Sequence, residues 1–147
     1  MIEQVRKWLD AGGDVDAPIE VDVAVEPGGF AGAGLYQMSL LMVASIQGHG
    51  HLIDLLLERG ARVDWRQSGT RATALHFAVC MGHLPIVERL IRAGADTSLR
   101  DSQGRDAEHL AWLNGQAECT DAIKMGRLGK LSKLRVRAAL GDDGFAV

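Results

Sequence analysis

Apolar positions recur at helical spacing in two consecutive stretches, and the same pair of stretches then recurs along the chain. Ile53, Leu56 and Leu57, and again Ile86, Leu90 and Ile91, fall at i, i+3/i+4 spacing, which places them on one stripe of a helix. The segment 73–96, "TALHFAVCMGHLPIVERLIRAGAD", overlays 39–62 when shifted back by 34 positions. Shifted forward by 33, it meets "DAEHLAWLNGQAECTDAI" from Asp106. Each copy runs through a capping residue (Ser39, Thr73, Asp106), an apolar helix with a small central residue (Ala44, Ala78, Ala111) and a glycine (Gly48, Gly82, Gly115). A second apolar helix follows, ending at Gly60 or Gly94 in two copies, and Gly12 closes a similar stretch near the start. A Ser, Thr or Asp at these starts accepts hydrogen bonds from the free N–H groups of the first turn, worth about 1 kcal/mol. Pro85 suits a first turn, where its missing N–H costs nothing. One helix pair cannot bury its own apolar stripe, so the pattern predicts an all-α stack in which adjacent units cover one another.

"TALH" with "GH" following, then "IVERLIRAGAD", resembles the ankyrin-repeat family, and the three copies cover roughly residues 35 to 125. The resemblance implies an ankyrin-repeat solenoid of stacked helix-turn-helix units with β-turn fingers. It divides the chain into a half repeat at 1–16, an inserted loop at 17–37, repeats at about 38–66, 67–100 and 101–125, and a basic C-terminal cap or tail at 126–147. It also implies that Thr73 and His76 bond each other and nearby backbone, and that Asp106 and His109 do something similar. Met42 holds the corresponding position of the first copy, which does without that bond.

In such a stack, positions that agree between copies hold the units together, while positions that differ are free to meet a partner. In the family the partner-facing surface consists of the finger tips and the exposed side of the first helix, including the two residues before "GH". Those pairs are Ile46 and Gln47, Cys80 and Met81, and Leu113 and Asn114, an apolar to weakly polar line suited to an apolar or helical segment. The alternative is that Ile46, Cys80 and Leu113 turn inward. In the fingers, Trp65 and Leu99 share a repeat position, with Arg66 and Arg100 at the next, and Arg71 and Arg105 extending a positive edge. A Trp beside an Arg has the composition of an interface hot spot; the competing expectation is that Trp65 covers a neighbouring finger. About 14 or 15 residues are inserted within 17–38, an alternating "IEVDVAV" run that predicts a short hairpin, then a glycine-rich tip from which Phe30 and Tyr36 reach the partner face.

Charge is unevenly distributed. Residues 1–58 carry two basic and nine acidic side chains, whereas residues 59–147 carry fourteen and ten, so a partner with a matching dipole is steered into register. After Ala122 the chain holds Lys124, Arg127, Lys130, Lys133, Arg135 and Arg137 without an acid before Gly141. With Leu128, Leu131 and Leu134 every three residues, this predicts a final helix over the stack, basic face outward; a nucleic-acid or acidic-surface patch is the alternative. Against that alternative, the overall charge is −3 and no aromatic residue interleaves the basic ones.

No GxxxxGK, HExxH or serine elbow occurs, and Cys80 and Cys119 form no CxxC or Cys/His ligand set. His49 and His51 in "HGH" come nearest to a metal pair, yet His49 recurs as His83 and is explained as architecture. No stretch approaches a membrane span, and the amino terminus lacks an uninterrupted apolar leader. The expectation is a cytoplasmic, alternatively nuclear, monomeric, non-enzymatic module without cofactor or metal. Its partner is another protein rather than a small molecule, a membrane or a nucleic acid.

Overall fold

Ser39, Thr73 and Asp106 each stand at the N-cap of a short helix, and their side chains meet the first-turn N–H groups. Ser39 Oγ accepts from the Met42 N–H at 3.2 Å, and Asp106 Oδ1 accepts from the His109 N–H at 2.8 Å. Thr73 and His76 form a reciprocal capping box. The structure, a computed structural model, describes the backbone of residues 1–22 and 35–140 and the side chains of residues 1–20 and 37–129. Among the described residues the order is α1 (Ile2–Asp10), β1 (Ile19–Asp22), β2 (Leu35–Met38), α2 (Leu40–Gln47), α3 (Gly50–Glu58), α4 (Ala74–Cys80), α5 (Leu84–Arg92), α6 (Ala107–Leu113) and α7 (Ala117–Leu140).

The helices pair as α2 with α3, α4 with α5 and α6 with α7, and the pairs pack side by side: α2 on α4 on α6 in one row, α1 on α3 on α5 on α7 in the other. Between the helices of a pair the chain reverses through a left-handed glycine (Gly48, Gly82, Gly115), where any other residue would be strained. Of the stripes read from the spacing, Ile53, Leu56, Ile86 and Leu90 are in the core, while Leu57 and Ile91 are half-buried against it. Ile53, Leu56, Val87, Leu90, Leu110 and Ile123 are closed to solvent, together with the small Ala44, Ala78 and Ala111 that let first helices approach closely. β1 and β2 pair antiparallel, Ile19 opposite Met38, on either side of residues 23–34, which lie outside the described residues together with Phe30.

Polar ties repeat along the stack. Asp16 Oδ1 accepts from the Arg62 N–H at 3.0 Å, and Asp64 Oδ1 accepts from the Asp96 N–H at 2.8 Å, each linking one unit to the next. His83 Nε2 donates to the Ile46 carbonyl at 3.0 Å, so its imidazole joins the second pair to the first.

The C-terminal segment differs from the expected arrangement. α7 runs without a break through position 126, where repeat was expected to give way to cap, so the second helix of the third copy and the basic segment are one element. Gly126 permits this. A Cβ there would stand 2.6 Å from Ile91 Cγ2, well inside van der Waals contact, so the missing side chain lets α7 lie against α5. Arg127 is not on an outward basic face. Its guanidinium turns in, donating to Thr97 Oγ1 at 3.1 Å and to the Thr97 carbonyl at 3.2 Å, and pairing with Glu108 at 2.5 Å and Asp106 at 3.4 Å. Leu128 points to solvent rather than onto the stack. The side chains of Lys130, Leu131, Lys133, Leu134, Arg135 and Arg137 lie outside the described residues.

Candidate protein-binding surface

Along the first helices, exposure rises from the first copy to the third. Ile46 and Cys80 are half-buried against the core, as the inward expectation had it, while Gln47 and Asn114 are exposed. Burial pushes the Cys80 thiol up to about 11, which leaves it a small apolar side chain and not a nucleophile near neutral pH. Met81 and Leu113 are open, 39% and 51% exposed, and Asn114 Nδ2 donates back to the Leu110 carbonyl at 3.0 Å.

Beside Leu113 stands Trp112, which lies just outside the pairs before "GH". Trp112 is 71% exposed, and its repeat equivalents Ser45 and Val79 are fully closed off. The reason is positional. Leu75, His76 and Val79 are covered by the third copy, and no described element covers their counterparts Glu108, His109 and Trp112. Glu108 is half-buried on Arg127, and the His109 ring lies tilted at 6.1 Å from the Trp112 ring. His109 therefore does not repeat the role expected of it. Only its backbone N–H meets Asp106, because the carbonyl that would receive its ring, Arg105 in the case of His76, belongs to a following finger. Trp112 was findable by laying the three copies in register and asking which core position carries a side chain too large for it.

In the fingers, Trp65 is half-buried and packs against the core, which fits the expectation that it covers its neighbours. Arg66 does not extend into solvent. Its Nε donates to the Arg71 carbonyl at 3.2 Å and its Nη2 to the Arg100 carbonyl. Arg71 and Arg100 are exposed. Arg105 breaks from the expected positive edge, since its side chain is 14% exposed and pairs at 3.0 Å with the buried Asp101. Tyr36 lies in β2, its side chain outside the described residues.

The misplacement of Arg105 has a local cause. Gln67 Oε1 organises one finger by accepting from the Gly69 and Thr70 N–H groups, and Asp101 Oδ1 organises the next by accepting from those of Gln103 and Arg105. The first finger holds one residue more, which is why the copies are offset by 34 and then 33. Counting back from the N-caps, Arg71 matches Gly104, not Arg105, and both have positive φ, 56° and 76°. A non-glycine residue there costs roughly 1 kcal/mol. Arg71→Gly is therefore expected to raise unfolding stability by up to about 1 kcal/mol, read as a higher urea midpoint at unchanged slope; a lower midpoint would show that the Arg71 side chain holds the finger.

Arg100 also lines an open depression with Gly104, Asp106, Glu108 and His109, whose two carboxylates are turned onto Arg127. Among the described residues no group of three or more His, Cys, Asp or Glu side chains is placed to hold a metal, and no helix is long and apolar enough to cross a membrane.

Residues 33–126 match the family model for ankyrin repeats in three copies. The chain is 34% identical over 109 residues to palmitoyltransferase Hip14 of Drosophila melanogaster, and 33% identical over 111 residues to palmitoyltransferase ZDHHC13 of Homo sapiens. These alignments cover 74% and 76% of this chain but 15% of each relative. It is likewise 31% identical over 102 residues to the ankyrin repeat and KH domain-containing protein mask-1 of Caenorhabditis elegans, spanning 69% of this chain and 4% of that one. The chain thus spans about 15% of the length of the palmitoyltransferases it matches. Ankyrin repeats are protein-interaction modules, and with three copies in the family match and three helix pairs stacked in register, the chain belongs to the ankyrin-repeat family.

Proposed function

We propose that this chain is a non-enzymatic interaction module of the cytoplasm, an adaptor or inhibitor that binds one protein across its first-helix strip and finger tips. The observation that carries the reading is the group Met81, Leu113 and Trp112, large apolar side chains left open where the repeats differ from one another. The stack behind them is already ordered, so a partner meets a preorganised surface and the cost of ordering it on binding is small. Gln47 and Asn114 supply polar contacts at the edge of the strip. Trp65, being packed, supports the fingers instead of anchoring the partner.

Affinity capture of proteins from native cell extract tests this directly. Met81→Arg and Leu113→Arg are each expected to weaken capture of the bound protein by more than about 30-fold, an effect of roughly 2 kcal/mol, with thermal unfolding unchanged. Full capture by both variants would refute the placement of the surface.

A further inference from the structure

We propose that the finger edge formed by Arg66, Arg71 and Arg100 is a receptor for adjacent carboxylates on the partner, and that it works jointly with Trp112 and Leu113. The partner it fits is an acidic protein segment carrying a large apolar side chain a few residues beyond its acids. This rests on the binding-module reading above and adds to it the chemistry of the partner.

Arg66 creates the site by donating to the backbone carbonyls of both Arg71 and Arg100, which ties together the two neighbouring fingers that carry the three arginines. Among the described residues their charges meet no acidic side chain: every ion pair is made by Arg59, Arg62, Arg89, Arg105 or Arg127, and none by these three. Nearby acids are already engaged: Asp101 by Arg105, and Asp106 and Glu108 by Arg127. Like charges held together with no counter-charge favour an anion, and a guanidinium with unused donors grips a carboxylate in a fork. Arg66 keeps donors free beyond the two that its carbonyl bonds use.

The site leads on to the apolar strip. Arg100 lines the depression that ends at His109, and the His109 ring lies 6.1 Å from Trp112, with Leu113 next to it. From the N-terminal end of α6 to Leu113 is about 10 Å, spanned by roughly three residues of extended chain. A phosphate backbone could engage the arginines but would leave Met81 and Leu113 in water, so the apolar half of the surface favours a protein segment over a nucleic acid.

The test uses the full chain and two fluorescently labelled peptides, acetyl-Glu-Glu-Ala-Ala-Leu-Phe-amide and its twin with both Glu replaced by Gln, with a short single-stranded RNA as the third probe. The Glu peptide is expected to bind at least about tenfold tighter than its twin. That preference should shrink at high salt and vanish in the Arg71→Gln/Arg100→Gln variant. Equal binding of the two peptides, no saturable binding of either, or tighter binding of RNA overturns the assignment. Extract capture separates this failure from failure of the broader reading. If Leu113→Arg abolishes capture while the double arginine variant captures fully, the strip stands and the carboxylate receptor falls. If Met81→Arg and Leu113→Arg both capture fully, the binding-module placement itself falls.

Discussion

Leu90→Ala is expected to lower the stability of the chain by about 3–5 kcal/mol, a large fraction of what a domain of this size possesses. Leu90 is fully closed to solvent in the middle copy, where α5 packs against α3 on one side and α7 on the other. Its equivalents Leu56 and Ile123 fill the same place in the flanking units, so the three side chains mark one continuous core running down the second row of helices. Removing the isopropyl group beyond Cβ loses its burial and leaves a cavity that a close-packed neighbour cannot fill. A stack amplifies the damage because each unit is stabilised only by its nearest neighbours, and the middle one serves both. Urea denaturation followed by circular dichroism checks it. A change below about 1 kcal/mol would mean that α5 is not the shared wall described here.

His76→Met is expected to cost about 2–4 kcal/mol and to remove a pH dependence of stability. The His76 side chain is buried between two units. Its Nδ1 accepts from the Thr73 N–H at 3.1 Å and lies 2.8 Å from Thr73 Oγ1, while its Nε2 donates to the Arg105 carbonyl at 3.1 Å. Met42 shows that a methionine fits the corresponding position of the first copy, so volume is not the obstacle. The loss is polar: Thr73, itself buried, would keep an N–H with no acceptor, at about 1–3 kcal/mol for each buried group left unsatisfied.

Burial holds the His76 imidazole below its ordinary pKa of 6.5, outweighing the raising influence of the Arg105 carbonyl and of Asp101. The folded state therefore favours the neutral ring, and the unfolded chain binds more protons as the medium becomes acid. His76 contributes its full stabilisation above pH 6.5, and the contribution falls as pH drops below 6.5 toward the lowered folded value. In that window the slope approaches about 1.4 kcal/mol per pH unit. Urea midpoints measured from pH 7.5 downward, wild type against His76→Met, isolate this slope; identical slopes would show that the ring is not held neutral between the units.

The stacked helices were legible because their causes are local and occur three times. Ser39, Thr73 and Asp106 cap helices wherever they stand, a left-handed reversal takes glycine, and period and stripe then fix which faces meet. What the sequence left hidden depends on where long side chains find partners. Arg105 and Arg127 read as exposed cations, yet Arg105 turns onto Asp101 of its own finger and Arg127 onto Asp106 and Glu108 at the start of α6. The extra residue in the Gln67 finger shifts the alignment by one and sets Arg71 beside Arg105, where its true counterpart is Gly104. The boundary expected at 126 falls on a glycine, which weakens a helix, whereas close approach of α7 to Ile91 makes that glycine useful. Trp112 shows the converse case, since its exposure reflects that no described element covers its side of α6 and not anything within "AEHLAWL".

The central claim is that recurring residues build the stack and the irregular ones recognise the partner. Backbone hydrogen exchange of the full chain, measured with and without its captured partner, tests this most directly. The account predicts added protection at residues 66–71, 100–104 and 109–114 and around Met81, with α3 and α5 unchanged. Protection confined to α3, α5 and α7 would contradict it, because the partner would then be held by the second row of helices.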